Sequence, residues 1–345
     1  MTTIRDDLGE SQRRAWQIDA FGAKNLRCVQ DDLSPPGPGK ILVRVQAVSL
    51  NHRDLLLLDD RYGWTPPLPF TPGSDMAGIV VATGAGVTRF VPGDAVLGAF
   101  FAGWIDGPWP TEDAMQLGGP GPGMLATHVV LDEQWAVRAP ASLTAVQACT
   151  LPCAALTAWY GLVEECGLRA GQAVLVHGTG GVALFGLQFA RMHGARVIVV
   201  TGSEAKRADT LALGASDVLL RGSDWPAEVK RLTGGRGADH VLEIAGGANL
   251  SRTLEALAPN GTVSIIGLLE GGAAEGLAMQ AVRSRATIRG IRIGHRRALE
   301  DMLRAIEFNG MQPVVAGTHA FEDLPRAFEQ LEAGPFGKVV VTFPG

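Results

Sequence analysis

The second half of the chain alternates short apolar runs with amphipathic helical patterns, and this alternation constrains the fold more than any other feature. The strand-like runs are AVLVHG, ARVIVVTG, DVLLR, HVLEIAG and GTVSIIG, with ATIRGIRIG as a sixth candidate. The helical patterns between them are VALFGLQFARMHG, EAKRADTLALG, WPAEVKRLTGG and NLSRTLEALAP. Strands separated by helices of this length predict right-handed βαβ units and a parallel, doubly wound sheet.

A glycine-rich turn, HGTGGVA, lies where the first of these strands meets the first helix. Gly178, Gly180 and Ala183 match the G-x-G-x-x-G/A fingerprint, in the strand–turn–helix context that it requires. Such glycines allow a tight turn and the close approach of a pyrophosphate, and the helix N-terminus supplies free N–H groups. The competing interpretation is an ordinary glycine turn. The predicted cofactor-binding residues here are Gly178, Thr179, Gly180, Gly181 and Val182.

The end of the second strand, VVTGSEAKR, favours NADP(H) over NAD(H). In NAD-binding folds an acid about 20 residues after the turn binds the ribose 2′-hydroxyl. Thr201 occupies that place here, and Ser203, Lys206 and Arg207 follow. A 2′-phosphate repels carboxylates and prefers cations and hydroxyls. Two alternatives stay open: Glu204 turned towards the ribose, or Lys206 and Arg207 on a solvated helix face.

The first part of the chain has a different pattern, with short strands and turns such as KILVRVQAV, GDAVLG and ATHVVLDEQWAV. The Gly/Pro-rich stretch FFAGWIDGPWPTEDAMQLGGPGPGM is a long loop of the functional or mobile kind. After a helix that ends at Gly310, PVVAGTHAF, LPRAFEQLEAG and GKVVVTF return to the pattern of the first part. We therefore predict a catalytic domain over 1–139, a cofactor domain over 140–310 and a return to the catalytic domain over 311–345.

Composition excludes several classes of protein. A chain of 345 residues suggests roughly two domains, and its net charge of −5 argues against a nucleic-acid partner. No apolar run reaches the roughly 20 residues of a membrane span, and the polar opening MTTIRDDLGE argues against a signal peptide. The four cysteines have no paired spacing, which predicts a reducing, cytoplasmic location.

Several long motifs resemble the landmarks of the medium-chain dehydrogenase/reductase superfamily, in its order and over nearly the whole chain. They are SLNHRDLLL, PFTPGSDMAGIVVATGAGVTRFVPGDAV, LPCAALTAW, VLVHGTGGVALFGLQFA, GTVSIIG and FGKVVV. The resemblance implies an α/β fold with a GroES-like, β-rich catalytic domain, a Rossmann cofactor domain and a cleft between them. It also implies a homodimer in which ATIRGIRIG is an edge strand that pairs with a second subunit.

Zinc alcohol dehydrogenases of this superfamily hold a catalytic metal with Cys, His and a second Cys. The matching positions here carry Asn51, Ser74 and Cys153. An amide, a hydroxyl and one thiol do not make a zinc site, which needs three N, S or carboxylate ligands. His52 and Asp75 are poor substitutes, because His52 points away if Asn51 points in. The superfamily's structural zinc needs four clustered cysteines, which the chain lacks. We therefore expect no metal.

The resemblance then narrows to the zinc-independent branch, which is similar to quinone oxidoreductases and enoyl reductases. Without a Lewis acid, hydride addition to an activated C=C is less demanding than alcohol oxidation, because an adjacent carbonyl spreads the developing charge as an enolate. Asn51 offers an amide N–H near the vacated metal position as an oxyanion donor. Tyr62, in RYGW, matches a pocket tyrosine of quinone oxidoreductases, and its O–H offers a donor or proton relay. The alternative is a tyrosine packed at a domain rim.

Other site residues are carried over from the resemblance. Thr157 matches a position beside the nicotinamide, and Gly267, which ends GTVSIIG, is assigned to the cofactor site. Phe336 and Lys338 match a terminal stretch that reaches the cofactor, although Lys338 also fits a surface cation. Asp54 has no metal to serve, so we expect it to cap a helix or form a salt bridge.

Three functions remain in competition. The first is an NADPH-dependent reductase of quinones or α,β-unsaturated carbonyls, and the second is a metal-free, NADP-dependent oxidoreductase of alcohols or aldehydes. The third is a non-catalytic protein that binds NADPH in a structural or regulatory role. The sequence contains no motif that identifies the substrate.

Overall fold

The computed structural model describes residues 12–110, 114–273 and 277–344, which divide into two compact units. The first unit comprises Met1–Cys153 and His295–Gly345, and the second comprises Ala154–Gly294. This division lies at 153/154 and 294/295, whereas the sequence predicts boundaries at 139/140 and 310/311. Residues close to the two predicted boundaries also bond to each other, since the backbone N–H of Ala141 donates to Glu307 at 3.2 Å.

The elements of both units are numbered along the chain. The strands are β1 Gln12–Gln17, β2 Arg27–Asp32, β3 Lys40–Ser49, β4 Asp75–Thr83, β5 Ala95–Gly98, β6 Phe101–Ala102, β7 Met115–Gln116, β8 His128–Asp132, β9 Ala136–Arg138, β10 Ala173–His177, β11 Arg196–Thr201, β12 Asp217–Leu220, β13 Ala238–Glu243, β14 Leu257–Ile265, β15 Thr287–Gly290, β16 Val315–Ala320 and β17 Lys338–Thr342. The helices are α1 His52–Leu58, α2 Ala145–Glu164, α3 Gly181–Met192, α4 Arg207–Ala212, α5 Trp225–Leu232, α6 Gly247–Ala256, α7 Leu277–Ser284, α8 Arg296–Asn309 and α9 Leu324–Glu332.

The first unit is built on a mixed sheet in the order β16-β17-β3-β4-β5-β9, with β8 also paired to β3. In the antiparallel pair β3·β4, Ser49 lies opposite Asp75. In the antiparallel pair β17·β3, Val340 also lies opposite Ser49. This register brings the end of β3, the start of β4 and the start of β17 to one place, although these segments are far apart in sequence.

The second unit contains the parallel sheet that the alternation predicted, in the order β12-β11-β10-β13-β14-β15. The strand order reverses beside β10, as in doubly wound folds, so the turn after β10 lies at the topological switch point. The sixth strand, β15, forms one edge of this sheet. The α/β class and the Rossmann-type second domain are therefore confirmed.

Helix α3 packs very closely on this sheet. A Cβ added at Gly186 would lie 2.3 Å from Cδ1 of Leu242, so a larger residue there would require the Leu242 side chain to move. The fingerprint assigns close packing to Ala183, which is also buried. The tightest approach is therefore one turn further along the helix than the motif indicates.

Helix α2 corrects one inference from the sequence. Its 20 residues, with a mean hydropathy of 1.3, are long and apolar enough to cross a membrane, so an apolar run of that length does exist. Of the window that meets this criterion, 78% is buried within the protein, as in the core helix of a globular fold. Two stretches of α2, Leu151–Ala155 and Tyr160–Glu164, have π-helical turns.

Candidate active site

The glycine turn of the second unit is open and lacks a side-chain cap. Gly178 has a φ of +89°, a conformation that favours glycine, and its N–H donates to the carbonyl of Val200 at 2.7 Å. A Cβ at Gly178 or Gly180 would meet no atom within 4 Å. No side chain of the described residues bonds to the N-cap of α3, so the first N–H groups of this 12-residue helix remain available to an anion. The turn therefore fits a pyrophosphate.

Polar and cationic groups surround the end of β11. Thr201 is buried, and its hydroxyl accepts a hydrogen bond from the N–H of Ser203 at 3.2 Å. Lys206 and Arg207 lie at the start of α4, as predicted. Glu204 is exposed and lies 3.8 Å from the guanidinium of Arg207 across one helical turn. The carboxylate that would favour NAD is thus paired with a neighbouring cation.

Arg221 is a further cation at this place that the sequence did not reveal. It follows β12, which is the sheet neighbour of β11, and its N–H donates to the carbonyl of Thr201 at 2.9 Å. Its guanidinium lies about 4.0 Å from the position of a Cβ on Gly202 and also pairs with Glu270 at 2.7 Å. The available signal was the arginine directly after an apolar strand in DVLLR, but the sheet order was needed to place it.

In the first unit, a hydrogen-bonded chain includes Asn51 and Ser74, which are two of the three positions that match the zinc ligands of related enzymes. Nδ2 of Asn51 donates to Oδ2 of Asp75 at 2.9 Å and to Oγ of Ser74 at 3.3 Å. Oδ1 of Asn51 accepts from Nζ of Lys338 at 2.5 Å, and Lys338 also donates to the carbonyl of Leu50 at 2.6 Å. Asn51 therefore links an ammonium to a carboxylate.

This cluster is buried. Ser74 and Asp75 have no exposed surface, and Lys338 is 4% exposed, so it is not a surface cation. Burial raises the pKa of Asp75 to about 6, while the Lys338 ammonium and the hydrogen bond from Asn51 act in the opposite direction. Burial also raises the pKa of Asp54, and the Arg53 guanidinium opposes this shift. Two cations and two acids thus share one poorly solvated volume.

Asp54 has the capping role expected of it. Its Oδ2 accepts a hydrogen bond from the backbone N–H of Asn51 at 2.8 Å, which ties the first turn of α1 to the residue before it. His52 is exposed and does not join the cluster. Asp75 accepts hydrogen bonds both from its sequence neighbour Ser74 and from Asn51 on another segment of the chain.

These residues do not fit the zinc ion that the superfamily implies. Asn51 directs its amide hydrogens towards Ser74 and Asp75, and its oxygen already accepts from an ammonium. Desolvation, followed by the charge of Asp75, raises the pKa of the Cys153 thiol, whereas zinc binds the thiolate. Within residues 12–110, 114–273 and 277–344, no group of three or more His, Cys, Asp or Glu side chains is arranged to hold a metal.

Tyr62 follows α1 in the sequence and is half-buried. Its ring is held by aromatic and cationic contacts. The guanidinium carbon of Arg53 lies 5.0 Å from its ring centroid, and the ring of Trp64 meets it edge to face at 6.0 Å. No hydrogen bond of the Tyr62 hydroxyl occurs within the described part of the chain. This phenol is therefore available to a ligand.

The remaining predicted residues are divided between the units. Thr157 is buried in α2, in the second unit, and Gly267 follows β14. A Cβ at Gly267 would lie 2.5 Å from the carbonyl oxygen of Ile244, so packing requires this glycine. Phe336, half-buried, and Lys338 belong to the first unit.

Comparisons with known proteins agree with this architecture. The alcohol dehydrogenase GroES-like domain profile matches residues 37–141, and the zinc-binding dehydrogenase profile matches residues 181–307. The chain is 38% identical over 318 residues to the zinc-type alcohol dehydrogenase-like protein C1773.06c of Schizosaccharomyces pombe, covering 88% of this chain and 91% of that protein. It is 28% identical over 345 residues to the quinone oxidoreductase of Rattus norvegicus, covering 96% of this chain and 98% of the rat protein.

A solved structure is also very similar. The crystal structure of a protein from Sinorhizobium meliloti 1021 superimposes with a TM-score of 0.93 and 46% identity, covering 97% of this chain and 99% of that one. This chain belongs to the medium-chain dehydrogenase/reductase family. It is accordingly an oxidoreductase of the nicotinamide-cofactor type.

Proposed function

We propose that this protein is an NADPH-dependent, metal-free reductase of activated C=C bonds, in α,β-unsaturated carbonyl compounds or quinones. The observation that carries the proposal is the Lys338–Asn51–Asp75 chain. Asn51 and its partner Ser74 match two of the three positions from which zinc-dependent relatives bind their metal, and both already form hydrogen bonds within the cluster. A reaction whose developing charge is delocalised needs no such metal. The similarity to quinone oxidoreductases over nearly the full length supports the same assignment.

The second unit holds the cofactor in this proposal. The open glycine turn and the start of α3 bind the pyrophosphate, while Ser203, Lys206, Arg207 and the newly placed Arg221 bind the 2′-phosphate. When bound, NADPH supplies a hydride. We assign Thr157 and Gly267, both in the second unit, to the same cofactor site, while Phe336, in the first unit, stays a prediction from the resemblance. We also propose a cytoplasmic location, which the free cysteines of the described residues support.

The first unit stabilises the product of hydride addition. Addition to the β-carbon moves the π electrons towards the carbonyl oxygen, and the enolate oxygen then needs a hydrogen-bond donor. We assign this donor to Tyr62, whose hydroxyl also returns a proton and is recharged from solvent. Asn51 has both amide hydrogens engaged, so its role is to hold Lys338 and Asp75 in place. The Lys338 ammonium contributes positive potential in a dry environment, where charges act strongly.

The test is NADPH oxidation by the purified protein with a panel of quinones and enones, using NADH and a panel of alcohols with NADP as comparisons. Turnover of a quinone or enone with NADPH supports the proposal. Alcohol-dependent reduction of NADP, without enone reduction, favours the alcohol or aldehyde oxidoreductase instead. Tight NADPH binding without turnover of any acceptor favours a non-catalytic protein.

We also propose that the protein forms a homodimer through β15. This edge strand pairs with β14 and has four exposed residues, among them Ile288 at 38% exposure. Helix α7 adds exposed apolar side chains, with Met279 60% and Val282 74% exposed. An exposed edge and apolar surface of this kind favour pairing with a second copy. Light scattering is expected to give a dimer for the wild type and a monomer for Ile288→Glu, with Leu211→Glu as the control; a monomeric wild type would contradict the proposal.

A further inference from the structure

Arg53 is a buried cation whose contact with a carboxylate is long. Its side chain is 6% exposed, and the nearest acid oxygen, Oδ1 of Asp54, lies 3.9 Å away. Its Nε is buried and has no hydrogen-bond partner. A buried charge is costly unless it is paired and hydrogen-bonded. The contacts that compensate for this burial therefore indicate what Arg53 does.

One set of contacts fixes the turn that follows β7. Nη1 donates to the carbonyls of Leu117 and Gly118 at 3.3 and 3.5 Å. Nη2 donates to Oε1 of Gln116 at 3.3 Å and to the carbonyl of Gly119 at 3.4 Å. The planar fork of arginine thus binds four successive residues, a geometry that a lysine ammonium cannot reproduce.

The other contacts are with two aromatic faces. The guanidinium carbon lies 4.8 Å from the ring centroid of Phe100 and 5.0 Å from that of Tyr62. Such distances are those of cation–π interactions, which are stronger when the cation is desolvated. The cation therefore lies against the ring of the residue that we assign as the donor.

The turn bound by Arg53 also supports the segment that carries Tyr62. A Cβ on Gly119 would lie 2.9 Å from the ring of Trp64 and 3.1 Å from that of Phe70. Trp64 in turn meets Tyr62 edge to face. Arg53 thus contacts Tyr62 directly and, through the turn at 116–119, supports its neighbour.

Side-chain contacts are decisive here because the backbone provides little restraint. In the described part of the chain, no hydrogen bond between backbone groups holds residues 62–69. The next backbone hydrogen bonds are at Phe70, which exchanges two of them with Ile18. The Tyr62 ring is therefore held by side-chain contacts, which are those with Arg53, with Trp64 and with the core of the first unit.

We propose that Arg53 is a positioning residue that fixes the Tyr62 ring, so that the phenol O–H is held in one place for the enolate oxygen. This inference rests on the proposed function, since it assigns Arg53 to the same site. The guanidinium acts through the ring face and through the turn at 116–119, and it does not itself contact the substrate. A positive charge alone is not sufficient to position the ring, because the planar fork of the guanidinium couples the contact with Tyr62 to the contacts with the turn at 116–119.

A double-mutant cycle tests the coupling in enone reduction. We expect Arg53→Met to lower kcat by tenfold or more with little change in KM for NADPH, and Tyr62→Phe to lower kcat as well. The double variant should be no slower than the slower single variant, because each change removes the same function. Multiplicative losses in the double variant, or an unchanged kcat in Arg53→Met, would overturn the proposal.

A second readout does not depend on turnover. Nitration by tetranitromethane, followed by peptide mapping, reports on the environment of each tyrosine, and the chain has only Tyr62 and Tyr160. We expect Arg53→Met to change the rate at Tyr62 several-fold, with the buried Tyr160 as internal control. Equal rates at Tyr62 in wild type and variant would contradict the positioning role. This test remains valid if no enone is reduced, so the two proposals fail separately.

Arg53→Lys is the second variant, because it retains the buried charge and is the safer choice for folding. We expect it to show the same direction of change as Arg53→Met in both kcat and nitration rate. Thermal unfolding and NADPH binding confirm that each variant is folded. Full rescue of both readouts by lysine would show that charge is sufficient and would overturn the role of the fork.

Discussion

Asp75 in the first unit and Glu243 in the second are both completely buried acids, but their partners differ. Glu243 accepts hydrogen bonds from the N–H groups of Ala245 and Gly246 and from the side chains of Asn249 and Thr253. These hydrogen-bond donors all follow Glu243 in the same loop and helix, although the ring of the buried His177 on β10 also lies 3.6 Å from the carboxylate. The hydrogen bonds of this carboxylate therefore stabilise local structure.

Asp75 depends instead on segments far away in the chain. It accepts a hydrogen bond from Asn51, which is 24 residues away in the sequence. Asn51 in turn accepts a hydrogen bond from Lys338, which is 287 residues from Asn51. Three strands must assemble before these groups meet. The comparison teaches that a buried acid with local donors belongs to the scaffold, whereas one assembled from distant segments marks the site.

The largest expected effect comes from removing the most distant partner of Asp75. Lys338→Met leaves Oδ1 of Asn51 without a donor and deprives two buried acids of a cation. We expect the free energy of unfolding to fall by about 3 to 5 kcal/mol, as for other broken buried charge pairs. Urea denaturation measures it, with the exposed Lys24→Met as the control. A loss no larger than that of the control would mean that the cluster does not depend on Lys338.

The pH dependence of stability is the next largest effect. Burial raises the pKa of Asp75 from 3.8 to about 6. Between these values the folded protein retains a proton that the unfolded chain has released, so this stabilisation is full below pH ~4 and is lost as the pH rises through ~6. The loss is at most about 3 kcal/mol. The free energy of unfolding is measured against pH for the wild type and for Asp75→Asn, and the difference between the two curves should show this loss. Parallel curves from pH 4 to 8 would contradict the raised pKa of Asp75.

Glu243→Gln should have a smaller effect on stability and leave the chemistry intact. The carboxylate of Glu243 accepts hydrogen bonds through two oxygens, whereas the amide of glutamine has only one acceptor oxygen. We therefore expect the free energy of unfolding to fall by about 2 kcal/mol, with kcat unchanged within about twofold. Chemical denaturation and enone kinetics measure the two quantities, with the exposed Glu228→Gln as the control. A large loss of kcat in a stable Glu243→Gln protein would place this acid in the site and remove the distinction from Asp75.

Arg221 gives the smallest expected change and tests the long-range feature of the second unit. If its guanidinium binds the 2′-phosphate, Arg221→Ala should raise KM for NADPH about tenfold, which corresponds to about 1.4 kcal/mol. KM for NADH should stay nearly constant, because NADH lacks that phosphate. Arg231→Ala, which removes an exposed pair with Glu228, is the matched control. Equal effects on both cofactors would exclude this role.

The sequence was most informative where structure depends on local pattern. The strands and helices of the parallel sheet, and the glycine turn with its φ of +89°, all follow from periodicity and turn chemistry within a few residues. The buried face of α8, with Leu299, Met302, Leu303 and Ile306, could be predicted in the same way. The family resemblance then identified Asn51 and Ser74 as the positions of interest.

Features that require the assembled sheets could not be predicted. Arg221 lies beside Gly202 only because β12 is the neighbour of β11, and Lys338 reaches Asn51 only because β17 pairs with β3. The amide of Asn51, expected as an oxyanion donor, has its donors and acceptor engaged within the cluster. Periodicity carries no information about such long-range pairs, so their roles emerged only from the structure.

The central claim is that this enzyme transfers hydride without a metal, because Asn51 and Ser74, at two of the family's metal-ligand positions, are engaged in a hydrogen-bonded chain with Lys338 and Asp75. The most direct measurement is NADPH-dependent enone reduction by protein whose zinc content has been determined before and after chelation. The account predicts substoichiometric zinc and a kcat that chelation does not change. Stoichiometric zinc, with activity lost on chelation and restored by added zinc, would contradict it.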